Sequence, residues 1–299
     1  MKDLKPFASV EQQVEILRGR GLELPDEGAV KDVLTRNSYY RLSGYMRYFQ
    51  VAPSAGNENF YAGTRWEDIL EIYELDLRLR AFLLEGLQLA EIALRTAFAN
   101  SEATVHSPYK NYLCSDSYKS PPDPRITPTD EIIESELRRS KELFMQKFRS
   151  KASTSDDWLS YVPVWGAVEV LSFGTLAKAI SYRKDENCVY SMVCESLGAG
   201  KGQLAPQLRS FVFLRNKSAH FSRIWNLFVQ DPPAVANKAK QQAKKKIGQY
   251  DGNSVLAVIV ALDDFLKKAR IVDDFLSRYS NQFSDVQEFH QGIAHPRNA

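Results

Sequence analysis

The sequence predicts an all-α protein: long antiparallel helices around one core, preceded by a small N-terminal helical piece. Three observations predict it. Apolar residues recur every three or four positions through most of the chain, the spacing that lines one face of a helix. Neither Gly nor Pro interrupts that pattern from Thr64 until Gly86, and it continues to about Asn100. No run of alternating β-branched residues bounded by turns occurs, so strands are expected to be absent or minor. No internal repeat is evident. The expected organisation is an N-terminal helical and aromatic region over 1–60 and a helical domain over 61–299.

The elements follow in order. Ser9-x-x-Gln12 reads as a capping box, with Val10, Val14 and Leu17 on one apolar stripe. "GLELPDEGAV" is a turn before a short helix through Val30, Val33 and Leu34. "NSYYRLSGYMRYF" is dense in Tyr, and "VAPSAGNENFYAG" reads as a loop. Thr64-x-x-Glu67 is a second capping box and opens one long helix, ~50 Å at 1.5 Å per residue. "SPPDPRITP" is a loop, Asp130 to Phe148 a charged amphipathic helix, and "KASTSDD" a further loop. "LSYVPVWGAVEVLSFGTLAKAIS" gives one or two helices with a break expected at Gly174, and "NCVYSMVCESLG" a short one ending at glycine. A helix from Leu204 to about Phe228 is stopped by Asp231-Pro232-Pro233. "ANKAKQQAKKK" is basic and Ala-rich. Asn253 to about Tyr279 is expected as a final long helix, and the tail "QGIAHPRNA" is expected to fray.

Composition narrows the function classes. Apolar residues make up 44% of 299 and charged ones 25%, which fits a globular chain with a sizeable core. A net charge of +2 means that nucleic-acid binding would have to come from local patches. The three cysteines form no CxxC pair, which argues against a disulfide framework and against a zinc cage. No signal peptide is visible, and the longest apolar run, Val255 to Leu262, is far too short for a bilayer. A cytoplasmic protein without membrane contact is expected, with no metal site and no cofactor.

The chemistry concentrates in "LRNKSAHFSRIWN", Leu214 to Asn226. At ~100° per residue Asn216, His220 and Arg223 share a helix face, and Arg215 sits ~140° from His220. An imidazole moves protons near neutral pH, and a guanidinium grips phosphate oxygens in a fork. The amide can orient the imidazole. Such a stripe suits a phosphodiester, and RNA supplies its own nucleophile in the 2′-OH. The plainer alternative is a set of capping and pairing residues, common in any short pattern. Asp263-Asp264 and Asp273-Asp274 read as a solvated helix face rather than as metal ligands.

Three stretches in order, "NSYYRLSGY", "PVWGAVEVLSFGTL" and "LRNKSAHFSRIWN", resemble the Abi-like (AbiD/AbiF) abortive-infection family over roughly Asn37 to Phe228. Arg215-Asn216-x-x-x-His220 is similar to the R-x(4–6)-H signature of the HEPN superfamily. The resemblance implies a HEPN helical bundle that dimerises and cuts RNA without metal, with Arg215 and His220 as the catalytic pair and Asn216 beside them. Dimerisation brings two copies of the motif into one cleft, so one subunit's Arg need not reach its own His. The resemblance also implies an E-x-x-x-K/R element, which Glu91 and Arg95 match. Arg stands there where Lys is frequent, and Thr96 where a second basic residue often follows. A plain i,i+4 ion pair is the alternative for it.

Other residues are read from their surroundings. Glu169 is the only charge from Leu159 to Leu176, so it is either buried with a cation, the favoured reading, with Arg215, Arg223 or His220 as candidates, or facing a cleft. Trp165, four residues earlier, is either core or a stacking platform. Tyr40, Arg41 and Arg47 lie in a basic and aromatic stretch suited to single-stranded RNA, or to packing. Lys238, Lys240, Lys244, Lys245 and Lys246 form either a solvated face or a phosphate rail. The expected function is a metal-independent endoribonuclease toxin in phage defence, acting as a homodimer. Regulation by a small RNA, an antitoxin or another partner is left open. The alternatives are a non-catalytic HEPN RNA-binding protein controlled by a small RNA or partner, and a structural interaction protein.

Overall fold

Local signals start the first helices. The capping box of Ser9 and Gln12 forms and opens α1 (Val10–Gly19). Asp26 caps α2 (Glu27–Arg36) by accepting from the Ala29 N–H at 3.0 Å. The Tyr-rich stretch forms α3 (Tyr39–Met46). These elements come from a computed structural model that describes residues 6–151, 158–184, 186 and 188–299. The loop expected over residues 151–157 falls outside these, Lys151 excepted. The chain is all-α: 66% helical, with 14 helices and one small sheet among the described residues.

That sheet replaces the loop expected at "VAPSAGNENFYAG". Strands β1 (Gln50–Ala52) and β2 (Asn57–Phe60) pair antiparallel, and Gly56 supplies the positive φ of 87° at the turn. Three and four residues are too few to display an alternating pattern. The long helix is α4 (Trp66–Val105), 40 residues, and its start differs from the expected one. Asp68 Oδ2 accepts from the Arg65 N–H at 2.9 Å, so the entry turn uses Asp68 rather than Thr64 and Glu67.

α4 is the axis of the fold. Ile69, Leu75, Leu79, Leu83, Leu87, Leu94 and Phe98 are buried around much of its circumference, as in a helix surrounded by others. Against it pack α7 (Val164–Val170), α9 (Cys188–Ser196), α10 (Lys201–Ala219) and α12 (Val255–Lys268). Gly86 permits one close approach. A Cβ there would stand 2.7 Å from Phe275 Cζ and 3.1 Å from Leu262 Cδ2.

Two expected helices are divided here and one expected break is displaced, each with a polar side chain at the new helix end. The Asp130–Phe148 helix divides into α5 (Thr129–Arg139) and α6 (Leu143–Arg149). Arg149 donates to the carbonyls of Leu137, Arg138 and Ser140, closing the end of α5. The break after α7 lies at Leu171–Ser172, not at Gly174, because Ser172 caps α8 (Phe173–Ser181) and Glu136 accepts from its backbone N–H. The Asn253–Tyr279 helix stops at Lys268 and resumes as α13 (Phe275–Phe283), with Arg270 at φ 58° between them.

Asp263 explains that last break and corrects the solvated-face reading for the Asp263-Asp264 pair, while Asp273 and Asp274 are exposed as expected. Asp263 is buried, pairs with Lys267 at 2.7 Å and accepts from the Leu276 N–H at 2.9 Å. The tail does not fray as expected: α14 (Gln287–Ala294) docks through buried Phe289 and Ile293. The basic stretch forms α11 (Asn237–Ile247), which buries Ala243 and Ile247 and leaves its lysines exposed. Among the described residues no helix is long and apolar enough to cross a membrane.

Candidate active site at the end of α10

The motif helix is shorter than its sequence implies. α10 ends at Ala219, and His220 is its C-terminal cap, with its N–H bonded to the Asn216 carbonyl at 2.9 Å. Phe221 then turns left-handed at φ 57°, and the Ser222 N–H reaches back to the Lys217 carbonyl at 2.9 Å. A non-glycine residue in that region costs on the order of 1–3 kcal/mol, so its surroundings must hold it there. His220 is thereby carried to the exposed lip of the helix. Arg223 lies beyond the helix and leaves the expected stripe. Its guanidinium sits 4.8 Å over the Tyr48 ring and donates to the Trp225 carbonyl at 2.8 Å.

The segment after His220 is held by a buried acid on α4 that the sequence reading missed. Asp76 is fully buried and pairs with Arg80, one turn on. Its carboxylate also accepts from Tyr45 Oη at 2.5 Å, Trp225 N–H at 2.8 Å and Ile224 N–H at 3.2 Å. Burial pushes the Asp76 carboxyl up, and Arg80, Tyr45 and the two backbone N–H groups pull it down. Burial, and then Asp76, push the Tyr45 phenol up. Four partners on a buried carboxylate fix the path of residues 222–225. Arg41 on α3 adds a tie, donating to the Phe221 carbonyl at 2.6 Å.

Glu91, Arg95, Arg215 and Asn216 come together. Glu91 is 7% exposed and stands between two cations: it pairs with Arg95 on its own helix and with Arg215 Nη2 at 3.4 Å. Arg95 donates onward to the Leu171 carbonyl at 2.8 Å, the open end of α7. Arg215 Nη1 donates to Asn216 Oδ1 at 3.2 Å, and about a third of the Arg215 side chain stays exposed (32%). Three helices therefore converge on the motif. The i,i+4 ion pair exists, and its carboxylate also engages the motif arginine.

Glu169 is the clearest correction. It is exposed on α7 and makes no ion pair among the described residues, so it is not buried beside Arg215, Arg223 or His220. The apolar run that surrounds it in sequence packs with its other face, through Val164, Ala167 and Val168. Trp165 shares the outer face with it: it is 52% exposed, edge-on to Tyr109 at 6.3 Å, and not part of the core. Tyr40, Arg41 and Arg47 are exposed, as are Lys238, Lys240, Lys244, Lys245 and Lys246 on α11. Lys246 is hydrogen-bonded to Ser277. Among the described residues no group of three or more His, Cys, Asp or Glu side chains is set to hold a metal ion.

Comparison with known proteins gives one family whose match spans all three stretches. The profile described as Abi-like protein matches residues 32–226, which runs from α2 through Asn226 and includes Glu91, Arg95, Arg215, Asn216 and His220. No curated protein and no solved structure matches the chain. The match covers most of the chain, and its family connects it with abortive infection, a form of phage defence. The chain belongs to the Abi-like family.

Proposed function

We propose that the chain is a HEPN-type endoribonuclease toxin of phage defence. It acts as a cytoplasmic homodimer and cuts RNA through attack by the 2′-OH. The observation that supports this reading is the end of α10, where Arg215 is hydrogen-bonded to Asn216 and His220, the helix cap, is exposed. In the reaction a base takes the 2′-OH proton, that oxygen forms a bond to phosphorus, and the bond from phosphorus to the 5′ oxygen breaks. The leaving oxygen takes up a proton. The products are a 2′,3′-cyclic phosphate and a 5′-OH. His220 acts as general acid or base, and Arg215 binds the phosphate oxygens as charge builds on them. Asn216 orients Arg215, and Glu91 with Arg95 positions it. The dimer sets a second motif beside the first.

The nucleophile belongs to the substrate, so this scheme requires no cofactor. A second reading is favoured by the engagement of Arg215 with Glu91: a non-catalytic RNA-binding protein whose arginine stays locked, governed by a small RNA or a protein partner. One assay separates the two. Purified protein is incubated with RNA in excess EDTA, alongside His220→Ala and Arg215→Ala. Cleavage by the parent and none by the variants is expected. Equal cleavage by all three, or cleavage that only magnesium restores, contradicts the proposal.

A further inference from the structure

A groove of about 890 Å3 opens between α1 and α3, with Ile16, Arg20, Tyr39, Tyr40, Gly44 and Arg47 among its walls. Ligand sites commonly span roughly 300–1,000 Å3. Its aromatic wall is divided in role. Tyr45 and Tyr48 lie outside the groove and pack against Trp225, while Tyr39 in the wall accepts a hydrogen bond from Arg20 at 3.0 Å. Tyr40 does none of this: its ring is 88% exposed.

The groove's free charge is positive. Arg20 pairs with Glu58, so those two cancel. Arg47 is exposed and donates to Ser54 Oγ at 3.2 Å, whose hydroxyl in turn donates to the Ala299 oxygen at 2.6 Å; among the described residues Arg47 makes no ion pair within 4 Å. Two further arginines border the same helix. Gly44 has no side chain, and a Cβ there would stand 3.9 Å from Arg223 Nε, so that guanidinium lies along bare backbone. Arg41 is bonded to the carbonyl of Phe221, the residue after His220. The wall of the groove is thus the helix pinned to the candidate active site. α3 has eight residues, about 12 Å at 1.5 Å each.

We infer that this groove is a subsite for single-stranded RNA, in which a base stacks on Tyr40 and the strand's phosphates run past Arg47 and Arg41 toward His220. A flat ring beside guanidinium groups is the arrangement by which single strands are held without reading sequence. The subsite rests on the ribonuclease reading of the α10 site.

Binding tests it in the uncleaving His220→Ala protein. The probe is a short fluorescein-labelled single-stranded RNA of mixed sequence, followed by anisotropy. Adding Tyr40→Ala weakens binding roughly 5- to 150-fold, the usual worth of one stacked base. Adding Arg47→Gln lowers the salt slope by about 0.7. Tyr182→Ala, an exposed tyrosine outside the groove, serves as the control and binds like the parent. Circular dichroism melts establish that the variants are folded. If the parent binds RNA and both groove variants bind it equally well, the subsite is wrong while the ribonuclease reading stands. If the parent binds no RNA, both fall.

Discussion

Glu91 is where one side chain has most leverage on the candidate site. It is nearly buried and neutralises Arg95 and Arg215 together. Glu91→Ala removes the carboxylate shared by two guanidinium groups, which keep only neutral acceptors, the Leu171 carbonyl and Asn216 Oδ1. The cost is about 1–3 kcal/mol in denaturant unfolding, moderated because Arg215 is a third exposed. RNA cleavage should fall as Arg215 loses its position. His220→Ala behaves differently. His220 is exposed, so its removal should change stability by less than about 0.5 kcal/mol while abolishing cleavage. The pair of measurements separates a positioning residue from a catalytic one. Arg215, Asn216 and His220 were legible because helical pitch relates residues a few positions apart. Asp76 was not, because its partner Ile224 lies 148 positions away in sequence. Glu169 was misread for a related reason: a lone charge in an apolar run does not say which side of a seven-residue helix faces the core.

The elements around α10 hold the segment after His220 from two sides. From α4, Asp76 gathers Tyr45, Arg80 and two backbone N–H groups. Asp76→Ala strands buried Arg80, a loss of about 3–5 kcal/mol, and should release residues 222–225 to faster hydrogen exchange. From α14, Gly292 lies against Trp225. A Cβ there would come within 2.7 Å of Trp225 Cε2, so Gly292→Ala should cost about 1–3 kcal/mol through overpacking. α14 also carries a pH-sensitive contact. His290 Nε2 meets the Ile247 carbonyl at 3.1 Å and Nδ1 meets Tyr279 Oη at 3.2 Å, which a neutral ring satisfies on both sides. Burial holds the His290 imidazole below its usual range, and nearby His295 adds to the shift. The unfolded chain then binds more protons than the folded one as pH falls through ~6.5. Stability should therefore decrease on acidification through that window and recover on raising the pH. His290→Gln should flatten this dependence, and an unchanged slope would assign it to other groups. The helix boundaries that escaped the sequence reading have two causes. Arg149 and Asp263 end or begin helices through contacts beyond the local pattern, and Ser172 through a local cap that the expected break at Gly174 passed over.

At the scale of the whole molecule, the axis of α4 was legible because forty residues of uninterrupted helical pattern leave little alternative. The docking of α14 was not, because a short tail shows its apolar face only once Phe289 and Ile293 have a core to enter. The near-neutral net charge conceals an uneven surface, and α11 holds its lysines in solvent. Replacing Lys240, Lys244, Lys245 and Lys246 with Gln should weaken RNA binding and flatten its salt dependence by ~0.7 log units for each phosphate that is no longer neutralised. An unaltered slope would make α11 a solvated face. The central claim is that this chain cuts RNA with the substrate's own 2′-OH at the end of α10. The most direct measurement is mass spectrometry of the products from an RNA cut at a mapped site, paired with the same RNA carrying one 2′-deoxy residue there. The account predicts a 2′,3′-cyclic phosphate and a 5′-OH from the first, and no cut at that position in the second. A 5′-phosphate product, or equal cutting of the deoxy substrate, would contradict it.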